Sequence, residues 1–158
     1  MTADAPANQE ISQDLYDKLA ADPFAKLLGI RIDSIQPGYA RASMVLTAEM
    51  LNAVSTAHGG VMMALIDVVH AAVSNSHGTL AVAQDVHTEF LSAGAEGDTL
   101  TCEGVEISLS KRTAVFRIDC WREGRDGKER RLLATALARV FRIGTPWITD
   151  GSGGSSQD

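Results

Sequence analysis

The sequence predicts an α+β fold, an antiparallel sheet of about five to six strands wrapped around one long central helix. Three observations carry that expectation. The stretch HGGVMMALIDVVHAAV, residues 58–73, is the most apolar of the chain, and from Val61 to Val73 only Asp67 and His70 are polar. After it the chain reads almost entirely as strand, with turn residues at regular breaks. Before it lie two shorter strand-like runs.

In chain order, residues 1–8 read as disordered. QEISQDLYDKLAADPFAKLLG has helical spacing, with Ile11, Leu15 and Leu19 on one side, until Pro23 interrupts it. IRIDSIQPGYARASMVLT reads as two strands around the turn Gln36-Pro37-Gly38-Tyr39. The looped AEMLNAVSTA leads into His58-Gly59-Gly60, and the central helix runs from about residue 59 to 75. Then come TLAVAQDVHTEFL, TLTCEGVEISL, TAVFRIDCW and RLLATALARVFRI, the last two joined by a polar turn with Asp126-Gly127 at its tip. Residues 1–20 read as a flexible or helical extension, 21–143 as one domain, and 144–158 as a flexible Gly/Ser-rich tail. No internal repeat is apparent.

The 158 residues suit one domain, large enough to bury a core without staples. A net charge of −6 disfavours nucleic-acid or anionic-membrane partners, which call for a basic surface. The N-terminus is polar and acidic, unlike a signal or transit peptide, and the run 61–73 is too short to span a bilayer, so a cytoplasmic protein is expected. Cys102 and Cys120 read as buried reduced thiols, with Cys120 on the same strand face as Phe116 and Ile118.

The chemistry concentrates around the central helix. Gly59 and Gly60 stand at its start, where free backbone N–H groups and the helix dipole favour an oxyanion, and glycine lets a ligand come close. The plain alternative is a loop-to-helix joint that needs unusual φ/ψ. Asp67 is the sharper signal, because an unpaired buried carboxylate is costly and shifted acids cluster at functional sites. It is a candidate general base or nucleophile; the alternative is a structural carboxylate satisfied by His70. Asn52 is suited to holding a carbonyl or water, or to capping a turn. His58 is a candidate base, though orienting the loop is the better reading. No serine-hydrolase elbow, phosphate-binding loop or metal-ligand spacing is present.

A distance then decides something. Eight residues of helix separate Gly59 from Asp67, about 12 Å along the axis. One carbonyl cannot touch both, since catalytic contacts are about 3 Å. If both act, they come from different subunits, and a two-fold dimer with antiparallel helices places Gly59 of one beside Asp67 of the other. A helix apolar all round needs cover on the side the sheet leaves open. A second copy of the chain supplies it.

DPFAKLLGI, MLNAVSTAHGGVMMALID and HTEFLSAGAEGDTL together resemble the hotdog-fold acyl-CoA thioesterases of the phenylacetate-degradation (PaaI-type) branch. The resemblance runs from about Asp22 to Ile143, and its N-x5-HGG-x7-D spacing is specific. It implies a dimer, usually a dimer of dimers, hydrolysing an acyl-CoA, with an aromatic one such as hydroxyphenylacetyl-CoA expected, and with no metal or redox cofactor. By position, Asp67 resembles the catalytic carboxylate, Gly59 N–H the oxyanion donor, Asn52 the residue that helps hold the thioester carbonyl, and His58 the histidine beside that glycine. Gly60 and His70 fall with the substrate-binding positions. Ser110-Lys111-Arg112-Thr113 matches a hairpin turn used near CoA, whose phosphates need cations; a merely solvated turn is nearly as good a reading. Ala53 stands where relatives often have glycine, and Ala83, Gln84 and Asp85 lack the Ser or Thr that some use to position water. His70 stands where an apolar or aromatic residue is common. Two rivals remain: a hydratase or dehydratase on the same fold, and a non-catalytic acyl-CoA-binding protein.

Overall fold

The computed structural model describes residues 10–124 and 129–148. The Asp126-Gly127 tip and the segments 1–9 and 149–158 lie outside them. Helix α1 spans Gln13–Ala20, α2 Pro23–Leu27 and α3 Gly59–Asn75; the strands are β1 Arg31–Gln36, β2 Tyr39–Val45, β3 Thr79–Phe90, β4 Thr99–Leu109, β5 Thr113–Arg122 and β6 Arg131–Pro146. They form one antiparallel sheet in the order β1-β2-β4-β5-β6-β3. The N-terminal helical stretch is two helices, because Pro23 opens a second one capped by the Asp22 carboxylate, which accepts from the N–H groups of Phe24 and Ala25. Leu15 and Leu19 of α1 are buried, while Ile11 precedes the helix and is only half-buried.

The β1–β2 hairpin closes at Gln36↔Tyr39, with Gly38 at φ +75° supplying the left-handed turn residue. Helix α3 lies against the inner face of the sheet, where Leu65, Ile66, Leu100, Phe116, Ile118 and Leu133 are sealed from solvent. Its approach is set by Gly104 on β4. A Cβ there would stand 2.8 Å from Val69 Cγ1 and 3.2 Å from Val73 Cγ1. Cys102 and Cys120 face each other across β4 and β5, both free and fully buried. Burial pushes the Cys102 thiol well above its ordinary pKa, which keeps it inert.

α3 runs antiparallel to β3. Gly59 sits by the Phe90 ring at one end, and at the other the Asn75 side chain both accepts from Ala81 N–H and donates to its carbonyl. β3 is an edge strand of twelve residues, whose one strand partner among the described residues is β6. Ordered structure continues past residue 143: β6 runs to Pro146, and Trp147 donates its N–H to Gly78 while its carbonyl accepts from Lys18 Nζ at 2.6 Å. No helix among the described residues is long and apolar enough to cross a membrane.

The helix is not covered all round. Gly60, Asp67 and Ala71 are exposed and Met63 half-buried, a single stripe at helical spacing on the side away from the sheet. The carboxylate of Asp67 lies on that stripe and not within the core of the single chain.

Candidate active site

The site begins with the loop that precedes α3. Asn52 ties it together: its Oδ1 accepts from Val54 N–H at 3.0 Å and Thr56 N–H at 3.1 Å, and its Nδ2 donates to Thr56 Oγ1 at 2.9 Å. Its backbone N–H also donates to Thr56 O and its carbonyl accepts from Ser55, which sits at φ 60°. Asn52 is thus a turn cap, with one amide N–H left to donate elsewhere. The loop is tied to the β3–β4 connection by Ala57 N–H to Gly94 O and back to the short turn before it by His58 N–H to Met50 O.

Each N–H of the first turn of α3 can be followed to its acceptor. Those of Val61 and Met62 donate to His58 O, and that of Gly60 donates to His58 Nδ1 at 2.9 Å. Among the described residues, Gly59 N–H alone has no acceptor in this turn. A helix leaves its first donors orphaned, and here a histidine side chain removes one and leaves another free. His58 is therefore the N-cap, and with Nδ1 accepting, neutral His58 carries its proton on the exposed Nε2. Neither Gly59 nor Gly60 has positive φ, so unusual backbone conformation does not explain the pair. Space does. A Cβ on Gly60 would press on His58 Nδ1 at 3.1 Å, and one on Gly59 would touch the Phe90 ring at 3.4 Å.

Gly59 lines a shallow cleft of ≈ 400 Å³ together with Asn52, Met62, Phe90, Leu91 and Ser92. Phe90 and Leu91 are about half exposed there, at 50% and 54%. Its lining combines a residue with an orphan N–H, an asparagine with a spare amide donor, and apolar side chains, a set that suits a carbonyl with an apolar substituent. It does not include Asp67. That carboxylate is exposed and makes no hydrogen bond or ion pair among the described residues. The structure thus brings together Asn52, His58, Gly59 and Gly60, and leaves Asp67 about 12 Å along the helix.

His70 does not satisfy Asp67. It is 1% exposed, its ring packs on Phe116 with centroids 5.9 Å apart, and its Nε2 is buried without a partner. Burial pushes its pKa below the ordinary 6.5, with the nearby Asp67 charge opposing that in part. The imidazole is thus held neutral in the core.

Ser110, Lys111, Arg112 and Thr113 form the β4–β5 turn, all exposed. Ser110 Oγ accepts from Thr113 N–H and donates to its carbonyl, which closes the turn. Sequence reasoning missed Arg142, which β6 brings against it. Arg142 N–H donates to Arg112 O and its guanidinium to Ser110 O at 2.7 Å. Only the strand register, which no sequence spacing encodes, places it there.

Residues 55–128 match the Thioesterase superfamily. The chain is 41% identical over 107 residues to the acyl-coenzyme A thioesterase PaaI of Escherichia coli K12, covering 68% of this chain and 76% of that protein. It is 35% identical over 122 residues to a putative esterase of Archaeoglobus fulgidus, covering 77% and 76%. The solved structure of the E. coli PaaI protein from the phenylacetic acid degradation operon superposes with a TM-score of 0.78 at 34% identity, over 85% of this chain and 94% of that one. A Streptococcus mutans protein bound to acetyl CoA gives 0.68 at 26% identity, over 74% and 90%.

Proposed function

The chain belongs to the thioesterase superfamily and is a thioester hydrolase on the hotdog fold; from that premise we propose that it hydrolyses an aromatic acyl-CoA at a site shared between two subunits. The observation that carries this is the division on α3: an orphan N–H in a cleft at its start, and an unpartnered carboxylate on its open stripe about 12 Å away. A two-fold axis that runs two copies of α3 antiparallel sets Asp67 of each beside the Gly59 cleft of the other. Such pairing also covers the Gly60–Ala71 stripe and the unpaired edge of β3, which otherwise invites association.

In this arrangement the thioester carbonyl oxygen accepts from Gly59 N–H, and Asn52 supplies a second donor through its free amide hydrogen. As the carbonyl turns tetrahedral, negative charge grows on that oxygen, where the N–H and the positive end of α3 stabilise it. Asp67 of the other subunit either takes a proton from the attacking water, or attacks the carbon itself to give an acyl anhydride that water then opens to the free acid; in both routes CoA leaves as the thiolate. Turnover in heavy-oxygen water separates the two routes by whether label enters the Asp67 carboxylate. Phe90, Leu91 and Met62 give the cleft an apolar wall that suits an aromatic acyl group, consistent with the phenylacetic acid operon of the E. coli relative. Leu137, Phe141 and Ile143, about half exposed on β6, are the surface we assign to pairing of dimers into a tetramer.

The test is a hydrolysis panel across acyl-CoA thioesters. The expected outcome is a kcat/KM highest for aryl-acetyl or related aromatic groups. A preference for straight-chain acyl groups would contradict the substrate assignment, and hydration of an enoyl-CoA in place of thioester cleavage would contradict the chemistry.

A further inference from the structure

The proposed chemistry asks one hydrogen of the Asn52 amide to meet the thioester oxygen, which calls for an amide held in a single orientation. Resting on the thioesterase reading above, we infer that Thr56 is the positioning residue that holds it: its hydroxyl takes one Nδ2 hydrogen of Asn52 and thereby fixes the direction of the other.

Three hydrogen bonds join the two residues, and each has a different effect. The Asn52 N–H donates to Thr56 O at 2.8 Å, which closes the turn whatever the side chains are. The Thr56 N–H donates to Asn52 Oδ1 at 3.1 Å, beside that of Val54 at 3.0 Å. Two backbone donors on one atom settle which end of the amide is oxygen. They leave the group free to rock about that atom. The third bond, from Asn52 Nδ2 to Thr56 Oγ1 at 2.9 Å, removes this freedom. Resonance keeps an amide planar, so fixing its oxygen and one N–H fixes where the second N–H points. The two bonds on Oδ1 also draw charge from the amide and strengthen Nδ2–H as a donor.

The turn itself does not call for that third bond. An aspartate at position 52 would accept from the same two N–H groups, since such turns need only the acceptor. The donor half of the amide is surplus to the turn, and Thr56 is placed to use it. Thr56 lines the same cleft as Asn52 and Gly59 and is half-buried. Its Oγ1 makes no other hydrogen bond among the described residues, so nothing in them competes for its lone pairs. Its β-branch restricts χ1, which holds Oγ1 in place. Ser55 before it sits at φ 60°, and among the described residues it is the one non-glycine with positive φ. A left-handed residue without glycine's freedom is costly, and here it turns the chain so that Thr56 comes back onto Asn52.

Thr56→Val tests this, because valine keeps the branched shape and cannot accept. Its kcat for a CoA thioester is expected to fall about tenfold, the scale of one hydrogen bond, with KM little changed, because the Asn52 donor matters most once charge has grown on the oxygen. Thr56→Ser restores an acceptor and is expected to recover most of that loss. In an Asn52→Asp background, which keeps both backbone bonds and has no amide hydrogens, Thr56→Val is expected to cost nothing further. An unaltered kcat in Thr56→Val, in protein shown by its melt to be folded, would overturn the inference. So would a raised KM at constant kcat, or a further fall in the Asn52→Asp background, which would give Thr56 a route of its own. Side-chain amide exchange, followed by NMR, reads the same bond without turnover. One Nδ2 hydrogen of Asn52 should exchange slowly and the other fast, and in Thr56→Val both should be fast. Equal rates in the unaltered protein would overturn the inference and leave the thioesterase reading standing. Unequal rates in a folded protein that cleaves no CoA thioester would remove that reading, and with it the role assigned to Thr56.

Discussion

The first turn of α3 and its middle are built on opposite principles. At the first turn the polar groups are matched within the chain: Asn52 closes the loop, His58 caps the helix, and Gly59 N–H is the donor left over. At the middle, eight residues on, Asp67 has no partner and its neighbours on the same stripe, Gly60, Met63 and Ala71, are small or apolar. One region is a finished half-site. The other is a reactive group on a surface that has no cover in one chain. A protein that meant Asp67 to be structural would pair it, as Asp33 is paired with Arg31 and Ser43 on the outer strands. On the proposed reading, the second half of the site arrives with a second chain.

Removing the carboxylate gives the largest effect. Asp67→Ala is expected to lower kcat at least about a hundredfold, the scale of a lost general base, with the dimer intact by mass. Asp67→Asn keeps the shape and should be equally slow. Near-normal turnover in either variant would mean that the middle of α3 is not part of the site. At the other end, His58→Ala is expected to cost about 1 kcal/mol of stability through the lost cap. It also frees Gly60 N–H to compete with Gly59 for the oxyanion. Activity should fall less than in Asp67→Ala, and a loss as large would make His58 a participant in proton transfer.

A third change acts on the site through the fold. Gly104→Ala drives a methyl into Val69 and Val73, two β-branched side chains with little freedom, and should destabilise by about 1–3 kcal/mol in a urea titration. Helix α3 would be pushed off the sheet two residues from Asp67, so kcat per folded molecule should also fall, though less than in Asp67→Ala.

The smallest effect concerns His70. Its pKa is depressed in the folded protein because burial disfavours the charged ring. The unfolded chain therefore binds a proton that the folded chain refuses, and stability is lost as pH falls through and below the ordinary value of 6.5. His70→Phe should flatten that acid-side loss in melts taken above and below neutral pH, with little change at the alkaline end. An unchanged slope would mean that another group carries it.

Much of this was legible in the sequence, for identifiable reasons. The limits of α3, the Pro37-Gly38 hairpin and the inward face of Phe116, Ile118 and Cys120 follow from period and turn chemistry, which are local. The separation of Gly59 from Asp67 is also local, being a count of residues on one helix. The sequence does not show which face of α3 carries Asp67. Apolar neighbours in sequence suggested burial, but every third or fourth residue of α3 turns away from the sheet, and Asp67 lies on that line. The orphan state of Gly59 N–H could not be foreseen, because it depends on the ring of His58 folding back onto Gly60. Arg142 was invisible because strand register brings it to the turn from thirty-two residues away.

The central claim is that Asp67 and the Gly59 cleft of one site belong to different chains, and complementation tests it directly. Asp67→Ala and Asn52→Ala should each be nearly inactive as homodimers. Denatured, mixed and refolded together, they give about half mixed dimers by random pairing. In a mixed dimer one site holds both residues and the other holds neither. Activity should therefore return to roughly a quarter of that of the unaltered protein, by the counting of a two-fold dimer. No recovery, with mixed dimers confirmed by mass, would place the whole site within one chain and contradict the account.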